Sequence, residues 1–140
     1  MKDLFNLVHP VRALSPVSVA DNTAQVGAIV DRQGFESLTF LIATGSIADA
    51  DATFTMHLDH GSAADLSDAA LVSATDLLGT TTLAAFNFGD DNETRKLGYR
   101  GIKRYVRLTI TPASNASAAL ISAIALLGHP AQVPTANPPV

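Results

Sequence analysis

An all-β chain folded as one antiparallel sandwich is what this 140-residue sequence predicts. Three observations carry the prediction. Stretches of period-two alternation recur along the chain, and they are rich in the β-branched and aromatic residues that pack well on a pleated surface. Clusters of Gly, Asp, Asn and Ser separate them, as at Gly45-Ser46, Gly61-Ser62 and Gly89-Asp90-Asp91-Asn92. Strands punctuated this often fit an antiparallel sandwich of about seven to nine strands.

The elements follow in order. Leu4, Phe5, Leu7 and Val8 form an apolar patch ahead of Pro10 and Pro16, so residues 1–20 read as an edge strand or as an arm that docks on a neighbour. Residues 21–128 hold the sandwich. Gln25 to Val30 is a short strand, and Arg32-Gln33-Gly34 is a turn. Ser37 to Ala43 puts Leu38, Phe40 and Ile42 on one face, while Leu41 opposite them predicts partial cover on both sides. Thr53 to Asp59 alternates, with Phe54, Met56 and Leu58 inward and Thr53, Thr55, His57 and Asp59 outward. Residues 63–70 are rich in Ala, Asp and Ser, with Leu66 the only large apolar side chain, which predicts a loop or one helical turn. Arg104 to Thr111 puts Val106, Leu108 and Ile110 inward and Tyr105, Arg107, Thr109 and Thr111 outward.

Residues 118–127 leave two readings open. Leu120, Ile124 and Leu127 share a helical face, and Gly128 with Pro130 fits a helix stop. A central strand buried on both faces loses its alternation in the same way, and we favour that strand. Residues 129–140 form a Pro-rich tail, because four of the seven prolines fall between 128 and 140. Such a segment has too few donors for a central strand and too little apolar surface for a core.

Composition narrows the function classes. Apolar residues make up 47% and charged residues 16%, against roughly 25% charged in an average soluble domain. With many of the apolar residues Ala, this composition leans towards a protein that buries part of its outside in an assembly. There are no cysteines, hence no disulfides and no thiolate metal site. The N-terminus lacks a sustained apolar region, and the apolar run 118–127 is too short to span a bilayer, so a soluble intracellular product is expected.

No set of residues reads as a catalytic site, and no cofactor or metal is expected. His57 and Asp59 point the same way on a strand while His60 points to the other face, so the three do not converge on a metal. Asp90-Asp91-Asn92-Glu93 offers oxygen ligands without the spacing of a calcium loop, and a solvated hairpin turn accounts for it. Asp49-Ala50-Asp51 is as weak. A Gly-x-Ser-x-Gly turn and a phosphate-binding Gly-Lys-Ser/Thr loop are both absent from the sequence. Thirteen acids scattered mostly through turns give a two-carboxylate glycosidase no support.

Charge is sorted along the chain. The first 94 residues sum to −10 and the remainder to +6. Six of the nine basic residues lie between Arg95 and Arg107, interleaved with Tyr99 and Tyr105. Three readings compete: a stacking surface for single-stranded nucleic acid, a solvated sheet face, and a protein interface anchored by Arg and Tyr. A pI near 5.3 opposes nucleic acid, whose phosphates an acidic chain repels. The interface is preferred, with Leu4, Phe5, Leu7, Val8, Arg100, Arg104, Tyr105 and Arg107 as its candidate residues.

Three pieces carry a resemblance: residues 30–40 (Val30-Asp31-Arg32-Gln33-Gly34-Phe35-Glu36-Ser37-Leu38-Thr39-Phe40), Arg104-Tyr105-Val106-Arg107-Leu108-Thr109-Ile110, and the final apolar strand ending Gly128-His129-Pro130. In this order they resemble the jelly-roll cement, or decoration, proteins of tailed-phage capsids, of the Bordetella-phage type. The resemblance implies a jelly-roll-like sandwich that forms a homodimer and binds the outside of the shell over junctions between major capsid protein subunits. It implies a place on the virion surface after synthesis in the host cytoplasm, with no enzyme activity, no nucleic acid and no membrane as partner. The alternative from another class is a carbohydrate- or receptor-binding sandwich of a phage tail or fibre. Such modules usually present Trp platforms, and this chain has no Trp.

Overall fold

A computed structural model describes residues 2–139. In chain order the strands among them are β1 (Val8–Val19), β2 (Gln25–Val26), β3 (Val30–Asp31), β4 (Phe35–Ile47), β5 (Thr53–Gly61), β6 (Ala70–Leu71), β7 (Leu77–Leu78), β8 (Phe86–Asn87), β9 (Thr94–Tyr99), β10 (Tyr105–Ala113) and β11 (Ala119–Pro130). A single α-helical turn, α1 (Thr81–Ala84), sits between β7 and β8, capped by the Thr80 hydroxyl accepting from the Leu83 amide. One sheet runs β1-β11-β4-β9-β7; the other runs β2-β10-β5-β6, with β3 also on β10 and β8 also on β5. All pairings are antiparallel.

The connections β1–β2, β3–β4, β4–β5, β9–β10 and β10–β11 each cross from one sheet to the other, and the first and last long strands end side by side. This is jelly-roll order. The protein is a single-domain antiparallel β-sandwich. Its strand count exceeds the expected seven to nine because five of the eleven are two-residue pairings too short to alternate.

The core lies between the sheets and follows the period-two reading. Leu38, Phe40, Ile42, Phe54, Leu58, Val106, Leu108 and Ile110 are all buried; full burial of a side chain of this size contributes roughly 1.5–3 kcal/mol. Phe86 stacks on Phe54 with centroids 4.9 Å apart.

The expected strand from Gln25 to Val30 is divided. Gly27 donates to the Leu108 carbonyl at 2.8 Å and Ala28 to the Ala13 carbonyl at 2.7 Å. The chain thus leaves β10 briefly to meet β1, closing one side of the sandwich. Gly27 makes the step possible, since a Cβ there would stand 2.6 Å from the Ala13 oxygen and 2.7 Å from the Leu108 oxygen.

Within residues 118–127 the chain from Ala119 onward belongs to β11 (Ala119–Pro130), a strand and not a helix, but the expectation of burial on both faces is corrected. Ala119, Ile121, Ala123, Ala125 and Leu127 face the core, whereas Leu120 and Ile124 are 44% and 48% exposed. Leu41 is likewise 38% exposed where partial cover was expected. Alternation is missing in the sequence because the solvent face of this sheet is itself apolar.

β1 is the edge of its sheet, carries Pro10 and Pro16, and shifts register between Arg12 and Leu14 and again between Leu14 and Val17. Such features discourage pairing with another chain. β11 continues through Pro130, and the residues after it fold back on the N-terminus. The Ala131 amide donates to Gly34, and Thr135 donates its amide to the Asn6 carbonyl and its hydroxyl to the Val8 carbonyl, at 2.8, 3.1 and 2.6 Å. No helix among the described residues is long and apolar enough to cross a membrane.

Candidate functional site

Strand registers place one unbroken row of side chains across the outer face of the β1-β11-β4-β9-β7 sheet. Arg12 pairs with Ile124, Ile124 with Leu41, and Leu41 with Lys96. All four are exposed. The next row runs Pro10, Leu126, Thr39, Gly98 and Leu78. Leu78 lies across Gly98, whose missing Cβ would come 2.8 Å from that of Leu78; Leu120 covers Gly45 in the same manner. The result is an apolar strip two strands wide, on β11 and β4, with a cation on either flank.

Two grooves border the strip. On one side Leu83 of α1 rises beside β9, and a groove of about 580 Å³ runs between it and Leu78, Thr39, Thr94, Lys96 and Gly98. At the end nearest the N-terminus a second groove of about 310 Å³ is walled by Leu4, Leu7, Val8 and Leu126. Of the N-terminal residues singled out from the sequence, Leu4, Leu7 and Val8 line this groove and Phe5 does not. Leu4 and Phe5 are exposed, while Leu7 and Val8 are half-buried.

Electrostatics of the face are one-sided. At its outward strand positions it carries Arg12 and Lys96 and no acid, since Arg95 and Glu36 share the inward parity of Ile42 and Leu38. Arg95 is tied to Asp90 and Glu93 in the loop before β9. Arg12 and Lys96 form no ion pair among the described residues.

The basic segment lies largely elsewhere, and its charge is answered within the chain. Arg104 forks onto Asp31, and its guanidinium lies 5.0 Å over the half-buried Tyr105 ring. The hydrogen bond from Arg104 holds the Asp31 carboxyl below its usual range. Arg107 reaches Asp59 at 3.3 Å, with His57 3.5 Å from the same carboxylate oxygen. Arg100 donates to the Thr75 carbonyl at 2.9 Å. The −10 and +6 blocks of the sequence thus interleave in the fold.

Tyr99 does not belong to any stacking surface. It is buried, its hydroxyl accepts from the Lys103 amide at 3.1 Å and stands 2.8 Å from His60 Nδ1, and Arg32 covers its ring. Burial pushes the Tyr99 pKa up. His60 turns towards Tyr99 while His57 and Asp59 stay together on the outer face, the separation that strand alternation demands. No group of three His, Asp or Glu side chains among the described residues gathers closely enough to hold a metal.

The acids of the turns act on the backbone. Asp91 accepts from the Ile47 amide, Asp90 from Asn87, and Asp49 from Asp51 and Ala116, at 2.8 to 3.0 Å. Asp90-Asp91-Asn92-Glu93 is not the expected hairpin turn but the loop that crosses from β8, paired with β5 in one sheet, to β9, paired with β4 in the other.

The apolar strip escaped the sequence reading. Its signal was present as large apolar residues at the outward parity of β4 and β11, and it was read as burial.

No family model matches the chain, and no curated protein matches it. Among solved structures, the fold is similar to a chain of the capsid of Ralstonia phage GP4, at 9% identity and a TM-score of 0.45, over 86% of this chain and 81% of that one. It is similar to the xylan-binding module CBM15, at 12% identity and 0.44, over 93% and 95%. It is also similar to the C-terminal family 22 carbohydrate binding module of Clostridium thermocellum Xyn10B, at 12% and 0.41, over 92% and 90%.

Proposed function

We propose that the chain is a virion structural protein that binds the outside of a phage capsid and stabilises contacts between major capsid protein subunits. The observation that carries this reading is the strip of Leu41, Leu120, Ile124 and Leu126 on an otherwise solvent-facing sheet. Large apolar residues grouped on one face mark a surface that another protein covers. The shell as partner comes from the resemblance of residues 30–40, residues 104–110 and the final apolar strand ending Gly128-His129-Pro130 to the cement proteins. A jelly roll suits the role, because its two broad faces and compact loops let one domain lie flat across a junction. Attachment at two neighbouring subunits makes the second contact effectively intramolecular, so an individually modest face suffices when repeated over a shell.

The test is co-sedimentation of the purified chain with capsids of the phage that encodes it, stripped of the chain beforehand. Saturable binding that raises the temperature of capsid rupture is the expected result. Capsids that neither bind the chain nor gain stability from it would end this reading.

A further inference from the structure

We propose that the outer face of the β1-β11-β4-β9-β7 sheet docks a protein surface built as an apolar ridge bordered by carboxylates, and that this face does not pair with a second copy of itself. The proposal deepens the shell-binding reading and rests on it for the partner's setting. Its own argument is electrostatic. Ile124 and Leu41 stand at the centre of a row that ends in Arg12 on one side and Lys96 on the other. Both cations lack an internal partner among the described residues, whereas Arg104 and Arg107 on the opposite sheet have theirs.

A two-fold axis through this row, along or across the strands, disfavours a second copy. Two identical sheets packed face to face are related by a two-fold axis lying in the plane between them. With the axis through the centre of the row and along the strands, Arg12 lies over the Lys96 of the other copy. With the axis across the strands, Arg12 lies over Arg12 and Lys96 over Lys96. Either way a cation meets a cation, and no acid of the face is placed to relieve it. A partner with carboxylates at those two distances answers both charges and covers the leucines between them.

Area agrees with a partner that is met many times over. Strands about 4.8 Å apart and rising about 3.3 Å per residue give the face roughly 20 by 25 Å, or about 1,000 Å² counted on both partners, the lower limit for a specific interface. The groove beside Leu83 offers a seat for one protruding apolar side chain with Lys96 at its rim.

The experiment has two arms. In the first, stripped capsids are titrated with the wild-type chain, with Arg12→Glu/Lys96→Glu, with Leu41→Asp/Ile124→Asp, and with Arg104→Gln/Arg107→Gln. The expected result is a loss of about tenfold in affinity for the first double variant, from two rim pairs turned from attraction to repulsion, loss of binding for the second, and wild-type behaviour for the third. Wild-type binding that all three variants retain overturns the docking face while leaving the shell reading intact.

The second arm needs no capsid. Three synthetic peptides with the same Leu-Ile-Leu core, flanked by Glu, Ser or Lys, are titrated into the labelled chain by NMR. Shifts centred on Leu41, Lys96 and Ile124, with the Glu-flanked peptide at least tenfold tighter than the Lys-flanked one, are expected even where wild-type binding to capsids fails. Equal response to all three peptides, shifts centred on β10, or no shifts at all overturn the proposal. So does a wild-type dimer in sedimentation that Leu41→Asp/Ile124→Asp dissociates, since it would seat a second copy on the face.

Discussion

The guanidinium of Arg104 donates to both carboxylate oxygens of Asp31, at 2.8 and 2.9 Å, across 73 positions of sequence. This fork joins the loop after β9 to β3 at the edge of the second sheet, beside the backbone bond from Arg32 to the Arg104 carbonyl. It takes the most prominent arginine of the basic segment out of consideration as a free anchor. It also sets the acid response of that edge.

Asp31 is held below the usual carboxylate range, chiefly by its hydrogen bond with Arg104. A depressed carboxylate contributes stability above its unfolded pKa of about 3.9 and loses it as pH falls through the folded value. Replacing Arg104 with Gln should therefore lower the urea midpoint at pH 7, with the difference from wild type shrinking below about pH 4. A difference that stays constant down to pH 2.5 would show that the fork does not govern Asp31.

Tyr99 predicts the opposite limit. Burial raises its pKa, so above pH 10 the unfolded chain ionises this phenol while the folded one keeps it neutral, and stability falls as pH climbs. Tyr99→Phe should remove that share of the alkaline loss. At neutral pH it should cost about 0.5–1.5 kcal/mol for each hydrogen bond forfeited with His60 and Lys103. Urea melts at pH 7 and pH 10.5 measure both effects, and an unchanged alkaline slope contradicts the first.

Leu41→Asp and Ile124→Asp should leave the fold almost untouched. Both side chains point away from the core and are substantially exposed, so each change should cost about 1 kcal/mol or less, mostly from the poor strand propensity of Asp. Ile121→Asp, next to Leu120 but on the buried parity, should fail to fold. Thermal melts of the three proteins distinguish an apolar strip on the outside from a strip that belongs to the core.

Gly27→Ala should be among the most damaging single-methyl additions in the chain. Its Cβ would press on two backbone oxygens, of Ala13 and Leu108, neither of which is a flexible side-chain end. Separating β1 from β10 there should cost about 1–3 kcal/mol, as overpacking does elsewhere. Hydrogen exchange should show faster loss of the Gly27 and Ala28 amides, and normal protection would refute the closure of that edge.

The inward sides of β4, β5 and β10 were legible because a strand with one wet face and one dry face writes its orientation into alternate residues. Phe54, Met56, Leu58, Val106, Leu108 and Ile110 all lie where that alternation puts them. β11 was legible as a strand but not in its exposure. A hydrophobic residue at an outward position carries the same letter whether a second layer covers it or water does. The candidate site shared that fate. Leu4 and Val8 border a groove at the end of the apolar strip, but Arg12 lay in no motif and Lys96 was one of six basic residues in a single segment, because their pairing comes from lying at the two ends of one row drawn from four strands.

What the sequence determined by itself is local: the strand periodicity, the turn positions at glycines and aspartates, and the polar second face of β5 and β10. Tertiary structure alone decided which charges met. Arg104 found Asp31, and Arg107 found Asp59, because register brings residues tens of positions apart to within 3.3 Å, and Coulomb attraction falls with distance in space and takes no account of distance along the chain. By the same registers Arg12 and Lys96 were carried to outward positions where neither forms an ion pair among the described residues.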